Sequence, residues 1–171
     1  MQERTGVVTF AGNPVTLVGP ELKTGDVAPD FLALNGELAP VSLADSQGTV
    51  RLISVVPSVD TPICDAQTRR FNEEAAALAG VTILTVSNDL PFALKRWGAA
   101  AGVDKVQFLS DHRDLSFGQA YGVLIKELRL LTRAVFVVDR QGIVRYAEYV
   151  REVKTHPAYL AALEATRKAS G

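Results

Sequence analysis

Two short apolar runs, Arg51 to Val56 and Val81 to Val86, enclose one stretch of helical period, and that order restricts the chain more than any other feature. Each run is too short for a buried helix and carries no alternation, which predicts strands buried on both faces. Pro57 ends the first. Between them, Cys64, Phe71, Ala75 and Leu78 recur on one helical face, while Arg69-Arg70 and Glu73-Glu74 fill the other. The spacing predicts a helix over 62–79 closed by Gly80. Strand, helix, strand in this order demands a parallel crossover, right-handed by the general rule.

The same punctuation extends along the chain. Residues 7–18 alternate around Ala11-Gly12-Asn13-Pro14, where Gly and Asn supply turn conformations, and predict a hairpin. A short strand is expected over 31–34. Pro91 opens a second helix to about Ala101, capped by Gly102. A strand over 106–109 and a short helix over 115–121 follow. Residues 123–132 mix leucines with charges and fit neither pattern. Strands over 134–138 and 143–150 flank the turn Asp139-Arg140-Gln141-Gly142, so they should pair antiparallel. Residues 157–169 read as a helix with Leu160, Ala161 and Leu163 toward the core. The sum is an α/β fold, a central mixed sheet covered by helices on both faces, in one domain spanning 1–171.

Composition narrows the function. A net charge of -1 argues against an electrostatic surface for nucleic acid or anionic membrane. Residues 1–6 carry no apolar run and no later stretch has membrane-spanning length, so no signal peptide and a cytoplasmic address are expected. One cysteine excludes an internal disulfide, and two histidines give no cluster for zinc. Neither metal nor cofactor is expected.

Cys64 then carries whatever thiol chemistry the chain has. Thr61 followed by Pro62 reads as an N-cap with proline at the first helical position, which places Cys64 at N3. The sulfur would lie at the positive end of the helix dipole, a setting that stabilises thiolate over thiol. Asp60 and Asp65 oppose this, because like charge disfavours the thiolate, so a cation from elsewhere in the fold is required. The competing reading is a small buried apolar residue heading the core stripe of its helix. Spacing leaves both open.

The segment Pro57 to Cys64 has the form P-x-x-x-T-x-x-C, which resembles the active-site signature of the peroxiredoxins. Asp89-Leu90-Pro91-Phe92-Ala93, Gln119-Ala120-Tyr121-Gly122, Arg133 to Asp139 and the opening Val8 to Thr16 resemble the thiol peroxidase branch of that family. The resemblance runs in order over nearly the whole chain. It implies a thioredoxin-like fold with an added N-terminal hairpin and a homodimer. It implies that Cys64 attacks peroxide, that Arg133 activates it, that Thr61 hydrogen-bonds the sulfur or the peroxide, and that Pro57 shields the sulfur from water. Read from residues alone, Thr61 is also a plain N-cap, Arg133 a surface ion pair and Pro57 a strand terminator.

One departure matters. The family's resolving cysteine sits in the second helix in an Arg-Phe-Cys context, where this chain has Arg96-Trp97-Gly98. No intramolecular thiol can condense with an oxidised Cys64. The resemblance implies thioredoxin as the electron donor, with a small thiol or a glutaredoxin as candidates for a one-cysteine form. The expected activity is thiol-dependent reduction of hydrogen peroxide and organic hydroperoxides. The alternative is a redox sensor or interaction protein switched by Cys64 oxidation.

Overall fold

The computed structural model describes residues 1–171 apart from Ala76. Its main sheet has seven strands in the order β10-β9-β5-β6-β7-β3-β4. At the centre β5 (Val50–Val55) pairs parallel with β6 (Val81–Ser87), and β6 pairs parallel with β7 (Gln107–Ser110). On the other side β5 pairs antiparallel with β9 (Ala134–Val138), which pairs with β10 (Val144–Tyr149) as expected for a hairpin. The far edge is β3 (Leu32–Leu34) with β4 (Pro40–Ser42), a strand too short to carry a sequence pattern.

Period-two alternation divides the core. Leu52, Ile83, Val135 and Val137 face one side of the sheet, where α1 (Pro62–Ala75) and α4 (Tyr159–Ser170) contribute Phe71, Ala75, Ala162 and Leu163. Ile53, Leu84, Phe136 and Val138 face the other, against Phe31, Phe117 and Tyr121 from the segments around α3 (Ser116–Ala120). The remaining helix, α2 (Pro91–Ala101), lies on β7 and ends at Gly102 in the left-handed region, φ 67°. This is the thioredoxin-like layout that the sequence predicts.

The N-terminal hairpin is β1 (Glu3–Phe10) and β2 (Asn13–Val18). It starts earlier than expected, and Ala11 and Gly12, at φ 52° and 82°, make its turn; Asn13 is already in β2, opposite Phe10. The segment 123–132 resolves into β8 (Leu124–Ile125), which pairs with β2 through Leu17 and Val18. Leu124 and Leu131 are buried beside this second, three-stranded sheet while Leu128 is 43% exposed, and two residues of strand are too few to show a period. Two helix readings need correction. Helix α1 is described to Ala75; the predicted run to 79 crosses position 76, outside the described residues, and 77–80 form turns. In α4 the buried face is Tyr159, Ala162, Leu163 and Thr166, while Leu160 is 72% exposed and Ala161 is exposed too. The i, i+3, i+4 stripe starts one residue earlier than supposed, at Tyr159.

Asp111 follows β7 and is buried, with Oδ1 and Oδ2 accepting from the Phe117 and Gly118 amides at 2.9 and 2.8 Å. Burial outweighs those two bonds and pushes its carboxyl up to about 6. The folded state therefore prefers the protonated acid, and stability contributed by this group rises as pH falls through 6 toward the unfolded value. Relative to Asp111→Asn, the native protein should gain up to about 2 kcal/mol between pH 7 and 4.5. Urea denaturation at both pH values checks it; parallel curves would contradict it.

Candidate active site

The site is assembled where β5 leaves the sheet. Pro57 stops the strand, and the loop beyond it is held by Asp89, which follows β6. Asp89 accepts from Ser58 Oγ at 2.7 Å, from the Val59 amide at 2.9 Å and from Ser87 Oγ at 2.7 Å. The loop delivers Thr61 to the start of α1. Its hydroxyl accepts from the Cys64 amide at 3.4 Å and donates to the Ser58 carbonyl at 3.3 Å, while its carbonyl accepts from the Asp65 amide at 2.9 Å. Thr61 is thus the N-cap and Cys64 is N3, as the sequence predicts. The hydroxyl is directed to the backbone of Cys64, and no bond from it to the sulfur is formed.

Cys64 is fully buried among Val56, Val59 and Leu94, with Trp97 and Phe108 at the margin. Arg133 reaches it from the residue before β9. That strand is second from the sheet edge and the direct neighbour of β5, and this adjacency brings Arg133 to the sulfur. Arg133 is 2% exposed. Its Nη2 donates to Cys64 Sγ at 3.2 Å, Nη1 to Gln67 Oε1 at 2.9 Å and Nε to the Val153 carbonyl at 2.8 Å. Gln67 in turn donates to Ser54 Oγ of β5 at 2.7 Å. Among the described residues no carboxylate pairs with Arg133. Of the two aspartates expected to oppose a thiolate, Asp60 is exposed and Asp65 is bound to Arg69 at 2.5 Å.

A pocket of about 400 Å³ opens above this arrangement. Pro57, Thr61, Pro62 and Ile63 line it from the cysteine turn, Arg133 from just before β9, and Phe10, Val153 and Lys154 from outside the main sheet. All four predicted site residues are therefore brought together: Cys64 beneath the pocket, and Pro57, Thr61 and Arg133 in its wall. A larger open groove of about 590 Å³ between β10 and α4 holds none of them. Among the described residues no group of three or more His, Cys, Asp or Glu is placed to hold a metal ion, and no helix is long and apolar enough to cross a membrane.

Sequence reasoning missed Gln67, Asp89 as a loop anchor, Phe10 and Val153. Gln67 alone carried a signal: three residues after Cys64, it falls on the same buried helix face. Gly98 lies in α2, the helix in which the resembled family carries its resolving cysteine. A Cβ at that position would lie 2.8 Å from Phe108 Cε2, so the Phe108 ring occupies the space a side chain would enter.

The Redoxin family model matches residues 23–163. The chain is 63% identical over 162 residues to the thiol peroxidase of Halalkalibacterium halodurans, covering 95% of this chain and 98% of that protein. It is 61% identical over 160 residues to the thiol peroxidase of Bacillus subtilis, covering 94% and 96%. A crystal structure of a peroxiredoxin-like protein from Aquifex aeolicus superposes with a TM-score of 0.90 at 40% identity, over 97% of each chain. The likeness reaches from hairpin to last helix and takes in the Cys64 turn, so this chain belongs to the Redoxin family as a peroxiredoxin of the thiol peroxidase branch.

Proposed function

We propose that this thiol peroxidase works through Cys64 as its one redox-active group, with Arg133 as its charge partner. The observation that carries the reading is the 3.2 Å contact from Arg133 Nη2 to Cys64 Sγ in a buried site where, among the described residues, no carboxylate answers the guanidinium. A buried cation without a counter-charge is expensive. A thiolate at Cys64 supplies that charge, and the positive end of the α1 dipole stabilises the thiolate as well. The thiolate attacks the terminal oxygen of a hydroperoxide: an S–O bond forms, the O–O bond breaks, and the departing alkoxide or hydroxide takes a proton to leave as alcohol or water. Arg133 then faces both the sulfur and the charge growing on the leaving oxygen. The Thr61 hydroxyl, besides capping α1, stands in the pocket wall within reach of a bound peroxide. Pro57 excludes water.

Cys64 lies below the pocket floor, so entry of peroxide requires the first turn of α1 to yield. Phe10, Pro57, Pro62, Ile63 and Val153 give the pocket an apolar lining that accommodates an organic hydroperoxide as well as hydrogen peroxide. The product on the enzyme is sulfenic acid. With Gly98 in α2, an external thiol must attack it, releasing water and leaving a mixed disulfide. A second thiol then frees Cys64. Two thiols are oxidised for each peroxide reduced. Thioredoxin is the proposed donor, the cytoplasm the proposed setting and a homodimer the proposed assembly. Steady-state peroxide consumption with thioredoxin, glutaredoxin and small thiols tests the cycle. Turnover with at least one donor, lost in Cys64→Ser, is expected; turnover retained in Cys64→Ser would overturn it. Stoichiometric oxidation without turnover on any donor would instead favour the redox-sensor alternative.

A further inference from the structure

The segment Val150 to Lys154 follows β10 and touches both halves of the site. On one side the Val150 amide donates to the Arg133 carbonyl at 3.0 Å, and the Val153 carbonyl accepts from Arg133 Nε at 2.8 Å. On the other it runs along the hairpin: the Thr9 amide donates to the Arg151 carbonyl at 2.7 Å, and the Val153 amide donates to the Thr9 carbonyl at 2.8 Å. Between these contacts the Glu152 side chain gathers the hairpin tip. Its Oε1 accepts from Thr9 Oγ1 at 3.0 Å and from the Gly12 amide at 2.7 Å. Its Oε2 accepts from the Ala11 amide at 3.3 Å and from the Lys154 amide at 2.7 Å. Ala11 holds φ 52°, a left-handed conformation disfavoured for alanine. The donors, the Lys154 amide foremost, keep the Glu152 carboxyl below its usual range.

Three of the four donors come from the hairpin and tie it to the 150–154 segment, and each of the two contributes a wall of the pocket: Phe10 from the hairpin, Val153 from the segment. We propose that Glu152 is a positioning and specificity-determining residue, which holds Phe10 over the pocket and fixes the Val153 carbonyl that aims Arg133 at Cys64. The proposal rests on the reading of Cys64 and Arg133 given above. Without the carboxylate the Ala11 and Gly12 amides lose their acceptor, the strained turn relaxes, and Phe10 leaves the wall. The Val153 carbonyl loses its outer restraint, so the guanidinium has a looser seat. A bulky hydroperoxide feels both changes. Hydrogen peroxide, too small to reach Phe10, feels only the second.

The test is Glu152→Ala in the full chain, assayed with cumene hydroperoxide and hydrogen peroxide, and with iodoacetamide as a probe of Cys64 nucleophilicity. We expect kcat/KM for cumene hydroperoxide to fall about 10-fold or more, chiefly through KM, with a smaller loss on hydrogen peroxide and slower alkylation. Glu152→Gln keeps one acceptor oxygen and should recover part of each loss. A role confined to hairpin stability would lower the melting temperature and leave peroxide kinetics and alkylation at wild-type values, which overturns the proposal. Equal losses on the two peroxides overturn its specificity half. If Glu152→Ala does not fold, Glu152→Gln and Thr9→Val carry the test, and wild-type kinetics in both overturn it. Arg133→Ala, run alongside, separates the two failures. Wild-type kinetics there sink the site reading and this proposal with it, whereas a slow Arg133→Ala beside an unaffected Glu152→Ala overturns the proposal alone.

Discussion

Arg133→Ala slows the reaction of Cys64 with peroxide by about 100-fold or more, the loss usual when a preorganised transition-state charge is removed. The variant leaves Gln67 Oε1 and the Val153 carbonyl without their donors in a buried setting, so it should also lose roughly 2–4 kcal/mol of stability. Arg133→Lys restores charge but not the fork that meets Cys64, Gln67 and Val153 at once, and should recover only part of the rate. Gln67→Leu, which frees Nη1 while leaving Nη2 on the sulfur, should fall between Lys and wild type. Stopped-flow mixing of reduced protein with hydrogen peroxide orders the series. A wild-type rate in both arginine variants would make Arg133 a structural residue.

Peroxide supplied in excess without a thiol donor inactivates this enzyme completely, with sulfinic acid accumulating on Cys64. A second thiol in the chain would trap the sulfenic acid as a disulfide before further oxidation. Here the only competitor is a bimolecular encounter with a donor. Inactivation should therefore rise with peroxide and fall in proportion to added thiol. Gly98→Cys alone should not protect, because its Cβ meets the Phe108 ring at 2.8 Å and the turn of α1 bearing Cys64 is held by Asp89. Intact mass spectrometry after graded peroxide exposure reads the outcome. Retained activity, with no dioxygenated cysteine at high peroxide, would show that some other group resolves Cys64.

Much of this was written in local pattern. Apolar runs at β5 and β6, with Pro57 and Gly80 as punctuation, imposed the crossover that puts Cys64 at the carboxyl end of a central strand. Thr61-Pro62 declared the N-cap because capping is decided within four residues. Arg133 was found through resemblance rather than physics: nothing local distinguishes a buried arginine from an exposed one, and its burial follows from β9 pairing beside β5. What stayed hidden was contact between segments distant in sequence. Glu152 meets Thr9, Ala11 and Gly12 across some 140 residues. Asp89 meets Ser58 and Val59 across about 30. Neither pairing leaves a periodic trace. The face of α4 is not legible locally, because Leu160 and Leu163 both suit a core stripe, and only packing against β9 leaves Tyr159 and Leu163 buried and Leu160 wet.

The central claim is that one cysteine performs the peroxide chemistry and waits for an outside thiol. Reduced protein mixed with one equivalent of hydrogen peroxide, quenched with and without dimedone and examined by intact mass and non-reducing electrophoresis, tests it most directly. The account predicts a monomeric polypeptide carrying one added oxygen, convertible to a single dimedone adduct on Cys64 and absent from Cys64→Ser. A quantitative disulfide-linked dimer would contradict it, because the partner's Cys64 would then be the resolving thiol and the 3.2 Å seat of the sulfur on Arg133 could not be its resting place through the cycle.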